Sequence, residues 1–168
     1  GIPFHGVLYA GLMLTAEGPR VLEFICRFGT PETQAVLPRL DADLLDLLLA
    51  SVEPGGLSGA EATFGGDWAV TVVLASAGYP ESASMGDVIA GVEEAIATGA
   101  EITHAGTARR DGELVAAGGR VLNVTGLGPD PEAARRRAYD AAEPISFEGR
   151  QIRTDIAQRA VDRVAAAG

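Results

Sequence analysis

Within the stretch VLEFICRFGTPETQ (residues 21–34), Glu23, Ile25 and Arg27 recur at every second position. That spacing puts side chains on one face of a β-strand. A carboxylate can hold a cation, and a guanidinium can hold an anion such as phosphate. The strand is expected to end at Gly29 and to feed a helix whose free N–H groups also attract anions. Glu23, Arg27 and the helix start would then converge on one spot suited to a metal-bound phosphate. A solvated ion pair explains Glu23 and Arg27 as simply. The opposite face, Phe24, Cys26 and Phe28, reads as a core face. A second candidate is GGR (118–120), where two glycines allow close backbone approach and Arg120 can reach a phosphate. A glycine bend inside a β-ribbon is the alternative there. His104 reads as a hydrogen-bonded core residue, and Arg153, Asp155 and Arg159 as a set that locks a domain.

The elements that position these residues follow from pattern. GVLYAGLML (6–14) and RVLEFICRF (20–28) are β-rich runs joined by TAEGP, which predicts an antiparallel hairpin. Thr30 reads as a helix N-cap with Pro31 at the first helical position, and Pro38 as the end of that helix. DADLLDLLLASV (41–52) predicts a second helix, capped by Asp41 or Asp43, with Leu44, Leu45, Leu47, Leu48 and Leu49 toward the core. The Gly-rich, aperiodic stretch 53–66 is the expected boundary. Beyond it come short strands at 68–76, 87–92, 101–109 and 113–128, with a tight Asp-Gly turn at 110–112. A helix follows over 130–145, capped by Asp130, and then a short strand or loop and a last helix.

Composition narrows the classes. The chain has 168 residues, 47% hydrophobic and 21% charged, enough for one domain or two small ones. A net charge of −10 argues against a protein that tracks nucleic-acid backbone. It leaves room for a phosphorylated metabolite held by one or two arginines. All 13 basic residues are arginine, so a reaction that needs lysine must find it on another chain. A single cysteine excludes a disulfide framework within the chain. No run approaches the ~20 apolar residues of a membrane span, and no secretory signal is recognisable. A cytoplasmic location is expected. The chain begins without Met in strand-like sequence, as if cut from something longer.

The segments GVLYAGLM, VLEFICRFGTPETQAVLPRL, VVLASAGYP, GDVIAGVEEA, HAGTARRDGELVAAGGRVLNVTGLG and FEGRQIRTDIAQRA resemble, in order and spacing, the C-terminal part of glycinamide ribonucleotide synthetases. These enzymes belong to the ATP-grasp superfamily. The resemblance implies an α+β fold: the closing hairpin and helices of an ATP-grasp domain (1–52), a linker (53–66), and a small strand-rich, barrel-like domain with helices (67–168). It also implies ATP-dependent ligation of glycine to 5-phosphoribosylamine, with Mg²⁺ or Mn²⁺. In the family the second strand reads Glu-Phe-Asn-x-Arg-Phe-Gly-Asp-Pro-Glu-Thr-Gln, and its Glu and Asn are metal ligands.

Carried over by position, the resemblance makes Glu23 a metal ligand and Arg27 the catalytic cation. It makes Thr30, Pro31, Glu32, Gln34 and Arg120 substrate-binding. Ile25 stands where the family has Asn, and Thr30 where it has Asp. The family's N-terminal domain, lid and lysine-bearing nucleotide pocket precede this region. The chain alone is therefore expected to be inactive, completed by a separate N-terminal half or self-associated. The alternative is a non-catalytic binding or interaction module.

Overall fold

The computed structural model describes residues 2–167. They form two compact units. One takes the chain up to Thr33 together with Leu40–Gly65, and the other takes Gln34–Arg39 and the chain from Gly66 onward.

In the first unit β1 (Tyr9–Thr15) and β2 (Gly18–Ile25) form the expected antiparallel hairpin. Gly18 turns it at φ 108°, a conformation that suits a residue without Cβ. The register pairs Tyr9 with Ile25 and Gly11 with Glu23, then slips beside Leu12. The strand ends at Ile25, not at Phe28: Cys26 and Arg27 form a bend. The supposed core face is open, with Phe24 63% exposed, Phe28 39% exposed and Cys26 exposed. A two-stranded ribbon has no second layer to bury it. Helix α1 (Glu32–Val36) starts one residue later than expected, with Thr30 and Pro31 in the turn before it and a cis peptide between them. A short 3-10 turn (Leu37–Arg39) follows α1 in the second unit. Helix α2 (Leu44–Val52) is capped by Asp43, whose carboxylate accepts from the Leu45 and Asp46 amides. Leu45 and Leu49 are exposed, so only Leu44, Leu47 and Leu48 are partly covered. Among the described residues of this unit no large apolar side chain is buried.

The second unit runs β3 (Trp68–Ala75), α3 (Val92–Ala97), β4 (Glu101–His104), β5 (Thr107–Arg110), β6 (Glu113–Ala116), β7 (Arg120–Gly128), α4 (Pro131–Ala142), β8 (Gln151–Ile152) and α5 (Gln158–Ala165). The runs expected as single strands at 101–109 and 113–128 each break in two. Gly106 and Gly118 cause the break, since their backbones approach so closely that neither position has room for a Cβ. The outer pieces form the β5–β6 hairpin, turned by Asp111 (φ 50°) and Gly112 (φ 88°) as the Asp-Gly pair implies. The inner pieces join a four-stranded antiparallel sheet in the order β4-β7-β3-β8. This sheet is open, not closed into a barrel. Helix α3 has no counterpart among the elements expected from sequence, and 87–92 makes isolated bridges rather than a strand.

Val72, Leu74, Leu122 and Val124 lie on one sheet face and are wholly buried, as are Ala134, Ala138 and Ala141 of α4. Asp130 caps α4 through the Ala133 amide at 2.7 Å, with Pro131 at its first turn. The other sheet face carries polar pairs beside the apolar Val73 and Ala75: Thr71 pairs with Thr125 (2.7 Å), and Asn123 donates to Thr103 (3.2 Å). Among the described residues no helix is long and apolar enough to cross a membrane.

Candidate functional site

In the first unit the hairpin register decides which side chains meet. Tyr9 lies across from Ile25, and its ring occupies the space beside two buried glycines. A Cβ on Gly11 would sit 3.4 Å from one ring edge and 3.1 Å from the Glu23 side chain. A Cβ on Gly29 would sit 3.1 Å from the other edge and 2.6 Å from Glu32 Oε2. The Tyr9 hydroxyl donates to Glu32 Oε1 at 3.2 Å. The structure thus gathers Glu23 and Glu32 around one phenol. Loss of solvent around the ring, then the Glu32 hydrogen bond and the charges of Glu32 and Glu23, hold the Tyr9 pKa above its ordinary value. Sequence reasoning missed Tyr9; pairing the two predicted strands residue by residue would have placed it opposite Ile25.

Arg27 does not continue the Glu23 face. It lies past the strand end, and its guanidinium donates to the neighbouring Phe28 carbonyl at 2.7 Å. Thr30 and Pro31 lie in the turn that leads from it to Glu32. The donor chemistry does not make a metal centre from this chain alone. Among the described residues no three His, Cys, Asp or Glu side chains gather around a common point. Glu32 is engaged by Tyr9, and residue 25, which shares Glu23's face, offers a hydrocarbon where Mg²⁺ needs oxygen.

Gln34 and Arg120 belong to the second unit. The Gln34 carbonyl accepts from Thr125 Oγ1 at 3.2 Å, while its side-chain Oε1 is buried without a partner. The GGR glycines serve the fold: Gly118 lies against Gly106, and the space at Gly119 is filled by the Tyr79 ring. Arg120 is exposed and lines a groove of about 460 Å³ with Tyr79, Gln151 and Arg153 over Val73 and Ala75. Ala75 pairs with Arg120 on one side and with Gln151 on the other.

Arg153 is fixed there. It makes a two-pronged ion pair with Asp155 (2.9 and 2.6 Å), its carbonyl accepts from Tyr139 of α4 (2.6 Å), and Arg135 donates to Thr154 and Ile156 carbonyls. The Arg153 hydrogen bond lowers the Asp155 pKa, and the same bond raises that of Arg153. His104 is hydrogen-bonded to Thr107 at 3.0 Å but exposed, so it is not a core residue.

Both parts of the chain match one kind of protein, a ligase of purine biosynthesis. Residues 69–159 match the model of the phosphoribosylglycinamide synthetase C domain, and residues 1–33 match that of its ATP-grasp (A) domain. A phosphoribosylamine–glycine ligase of Vibrio parahaemolyticus is 43% identical over 97% of this chain and 38% of its own length. That of Caldanaerobacter subterraneus is 49% identical over 94% of this chain and 37% of its own. The trifunctional purine biosynthetic protein adenosine-3 of Gallus gallus is 47% identical over 96% of this chain and 16% of its own. The crystal structure of phosphoribosylamine–glycine ligase from Thermotoga maritima superimposes with a TM-score of 0.73 at 39% identity, over 88% of this chain and 36% of that one. The chain belongs to the phosphoribosylglycinamide synthetase family. It spans a little over a third of the length of its bacterial relatives.

Proposed function

We propose that this chain supplies the C-terminal portion of an ATP-dependent ligase that joins glycine to 5-phosphoribosylamine in the cytoplasm. The observation that carries the reading is a match to such ligases over 97% of the chain, with the A and C models in order along it. Residues 1–52 are then the end of an ATP-grasp domain, 53–66 a linker and 67–168 the C-terminal domain. In this reading ATP phosphorylates the glycine carboxylate and leaves as ADP. The amine of 5-phosphoribosylamine then attacks the acyl carbon, and phosphate departs. Arg27 turns from Phe28 to neutralise transferring phosphate oxygens; Thr30, Pro31 and Glu32 shape the adjacent turn against substrate. Gln34 and Arg120 bind substrate from the C-terminal domain. Glu23 offers one carboxylate to a cation whose other ligands come from outside this chain.

Leu14 (79% exposed), Leu22 (65%) and Phe24 (63%) support completion of the hairpin by another polypeptide or a second copy. The test is glycine-dependent ADP release with phosphoribosylamine. The chain alone should give none. Co-expressed with the preceding portion of a relative, it should approach ordinary enzyme rates, about 10 s⁻¹. Turnover within a thousandfold of that by the chain alone, or none by the pair, overturns the reading.

Ile25 beside Glu23 favours a second reading, a module that has lost catalysis. Under it, Ile25→Asn with Thr30→Asp should create weak Mn²⁺ binding, seen as paramagnetic broadening that Glu23→Gln abolishes. Broadening already saturable in the unchanged chain would count against it.

A further inference from the structure

Among the described residues up to Thr33 two are buried, and both are glycines: Gly11 on β1 and Gly29 in the turn after β2. One ring lies against both. A Cβ at Gly11 would stand 3.4 Å from Tyr9 Cε1, and a Cβ at Gly29 would stand 3.1 Å from Tyr9 Cε2. A phenylalanine would fill that space as well. What tyrosine adds is the hydroxyl, which donates to Glu32 Oε1 at 3.2 Å. The other carboxylate oxygen, Oε2, rests over Gly29, 2.6 Å from where a Cβ would stand. The turn is closed by Thr33, whose amide and hydroxyl both donate to the Gly29 carbonyl at 3.1 and 2.6 Å. Hydroxyl, glycine and turn together fix the Glu32 carboxylate, although Glu32 is an exposed residue. Such a contact at the surface stabilises a fold little. Its effect is to present the carboxylate in one orientation before a ligand arrives.

We propose that Tyr9 is a positioning residue, holding Glu32 so that the unused lone pairs of its carboxylate accept an N–H of the amine substrate. The inference rests on the ligase reading, which supplies the amine. An ionised carboxylate offers about four lone-pair sites, and Tyr9 engages one of them. The rest can take a cation or a hydrogen-bond donor. A cation needs further oxygen ligands, and among the described residues no three His, Cys, Asp or Glu side chains gather around a common point. A donor remains. Of the reacting groups in the ligase reading, the glycine carboxylate and the transferring phosphoryl group present oxygens, which a carboxylate repels. The amine of 5-phosphoribosylamine presents N–H bonds. A charge-assisted bond from one of them to Glu32 sets the direction of the nitrogen lone pair, and orientation of that kind speeds a step between two bound reactants. Glu32 touches the substrate, and Tyr9 acts through Glu32.

The experiment compares Tyr9→Phe, Glu32→Gln and the double variant in the chain co-expressed with the preceding portion of a relative. Tyr9→Phe keeps the ring between the two glycines. It should leave the melting temperature within about 3 °C and the KM for ATP and for glycine unchanged, while kcat falls about tenfold, as expected when one orienting hydrogen bond is lost. Glu32→Gln should lower kcat at least as far. The double variant should be no slower than Glu32→Gln, because Tyr9 acts only through that carboxylate. Gly29→Ala reaches the carboxylate from its other side, displacing Oε2 while Tyr9 keeps its hydroxyl, and should reproduce the loss in kcat. In the isotopically labelled 168-residue chain alone, the Glu32 carboxyl carbon resonance should move in Tyr9→Phe. An unmoved resonance overturns the proposal. So does full kcat in Tyr9→Phe, a pair of losses that multiply in the double variant, or a lowered melting temperature with every KM raised, the mark of a packing role. The two readings fail distinguishably. No turnover by the unchanged pair sinks the ligase reading and the amine with it. An active pair indifferent to Tyr9→Phe sinks the role of Tyr9 and leaves the ligase.

Discussion

Gly126→Ala is the sharpest test of how the second unit is held together. Gly126 lies on β7 under α4, and a Cβ there would be 2.5 Å from the Ala138 nitrogen and 3.1 Å from its Cα. It would come closer still to the Ala134 carbonyl oxygen. Those atoms are helix backbone, so no rotamer change relieves the clash. Reaching ordinary contact requires α4 to withdraw by roughly 1 Å, a gap that forfeits a quarter to a half of each dispersion contact it spans. Ala134 and Ala138 are fully buried against Val70 and Val72, so the loss is shared along the interface. The cost should be about 2–4 kcal/mol, in the range of core overpacking. The gain from replacing a strand glycine, roughly 0.5–1 kcal/mol, does not offset it. For a unit of this size that corresponds to a Tm lower by about 10–20 °C, read by circular dichroism during heating. Gly66→Ala is the control, because nothing lies within 4 Å of its Cβ position, and it should stay within ~0.5 kcal/mol. A Gly126→Ala protein melting within about 3 °C of the unchanged chain would refute backbone-to-backbone packing of α4 on β7.

Asp43→Ala should destabilise α2 by about 1 kcal/mol, because two amide hydrogen bonds lose their acceptor; amide exchange at Leu45 and Asp46 should quicken, and unchanged protection would count against the cap. The Asp155 pKa is depressed in the folded chain, chiefly by the Arg153 hydrogen bond. Its stabilising contribution is therefore present above the ordinary carboxylate pKa and is lost as pH falls through the folded value. Arg153→Gln should bring the Asp155 titration, followed by carboxyl NMR, back upward. Tyr9 is shifted the other way, its neutral form favoured by lost solvation and by Glu32 and Glu23. Its contribution is full below the ordinary tyrosine pKa of 10.0 and is lost as pH rises beyond it. Glu32→Gln should lower the Tyr9 titration measured by ultraviolet absorbance, and an unmoved curve would refute the Tyr9–Glu32 contact.

What the sequence disclosed was local. Gly18, Asp111-Gly112, Asp43 and Asp130-Pro131 announce turns and caps because their backbone chemistry is decided within four residues. Alternation then gave β2 its faces but not its end or its burial. Phe24, Cys26 and Phe28 look like core residues, yet a hairpin without a second layer leaves them open, and apolar pattern says nothing about whether a partner layer exists. The breaks at Ala105–Gly106 and Ala117–Gly119 were illegible for a related reason. Each run alone is an acceptable strand, and only the meeting of Gly106 with Gly118 divides them.

The same limit governs the chemistry. A spacing of four groups Glu23 with Arg27 only if the strand continues through both. It stops at Ile25, and the bend that follows sends Arg27 to the Phe28 carbonyl. Glu23 instead shares its surroundings with Tyr9, fourteen residues earlier on the partner strand, and through it with Glu32 beyond the turn. Hairpin register and the two small residues Gly11 and Gly29, not strand periodicity, determine that grouping. In the groove, likewise, Arg120 gained meaning from Tyr79 and Arg153, which no motif places beside it. A side chain's type states what it can bind. The contacts that hold it still, Tyr9 for Glu32 and Asp155 for Arg153, decide where it can do so.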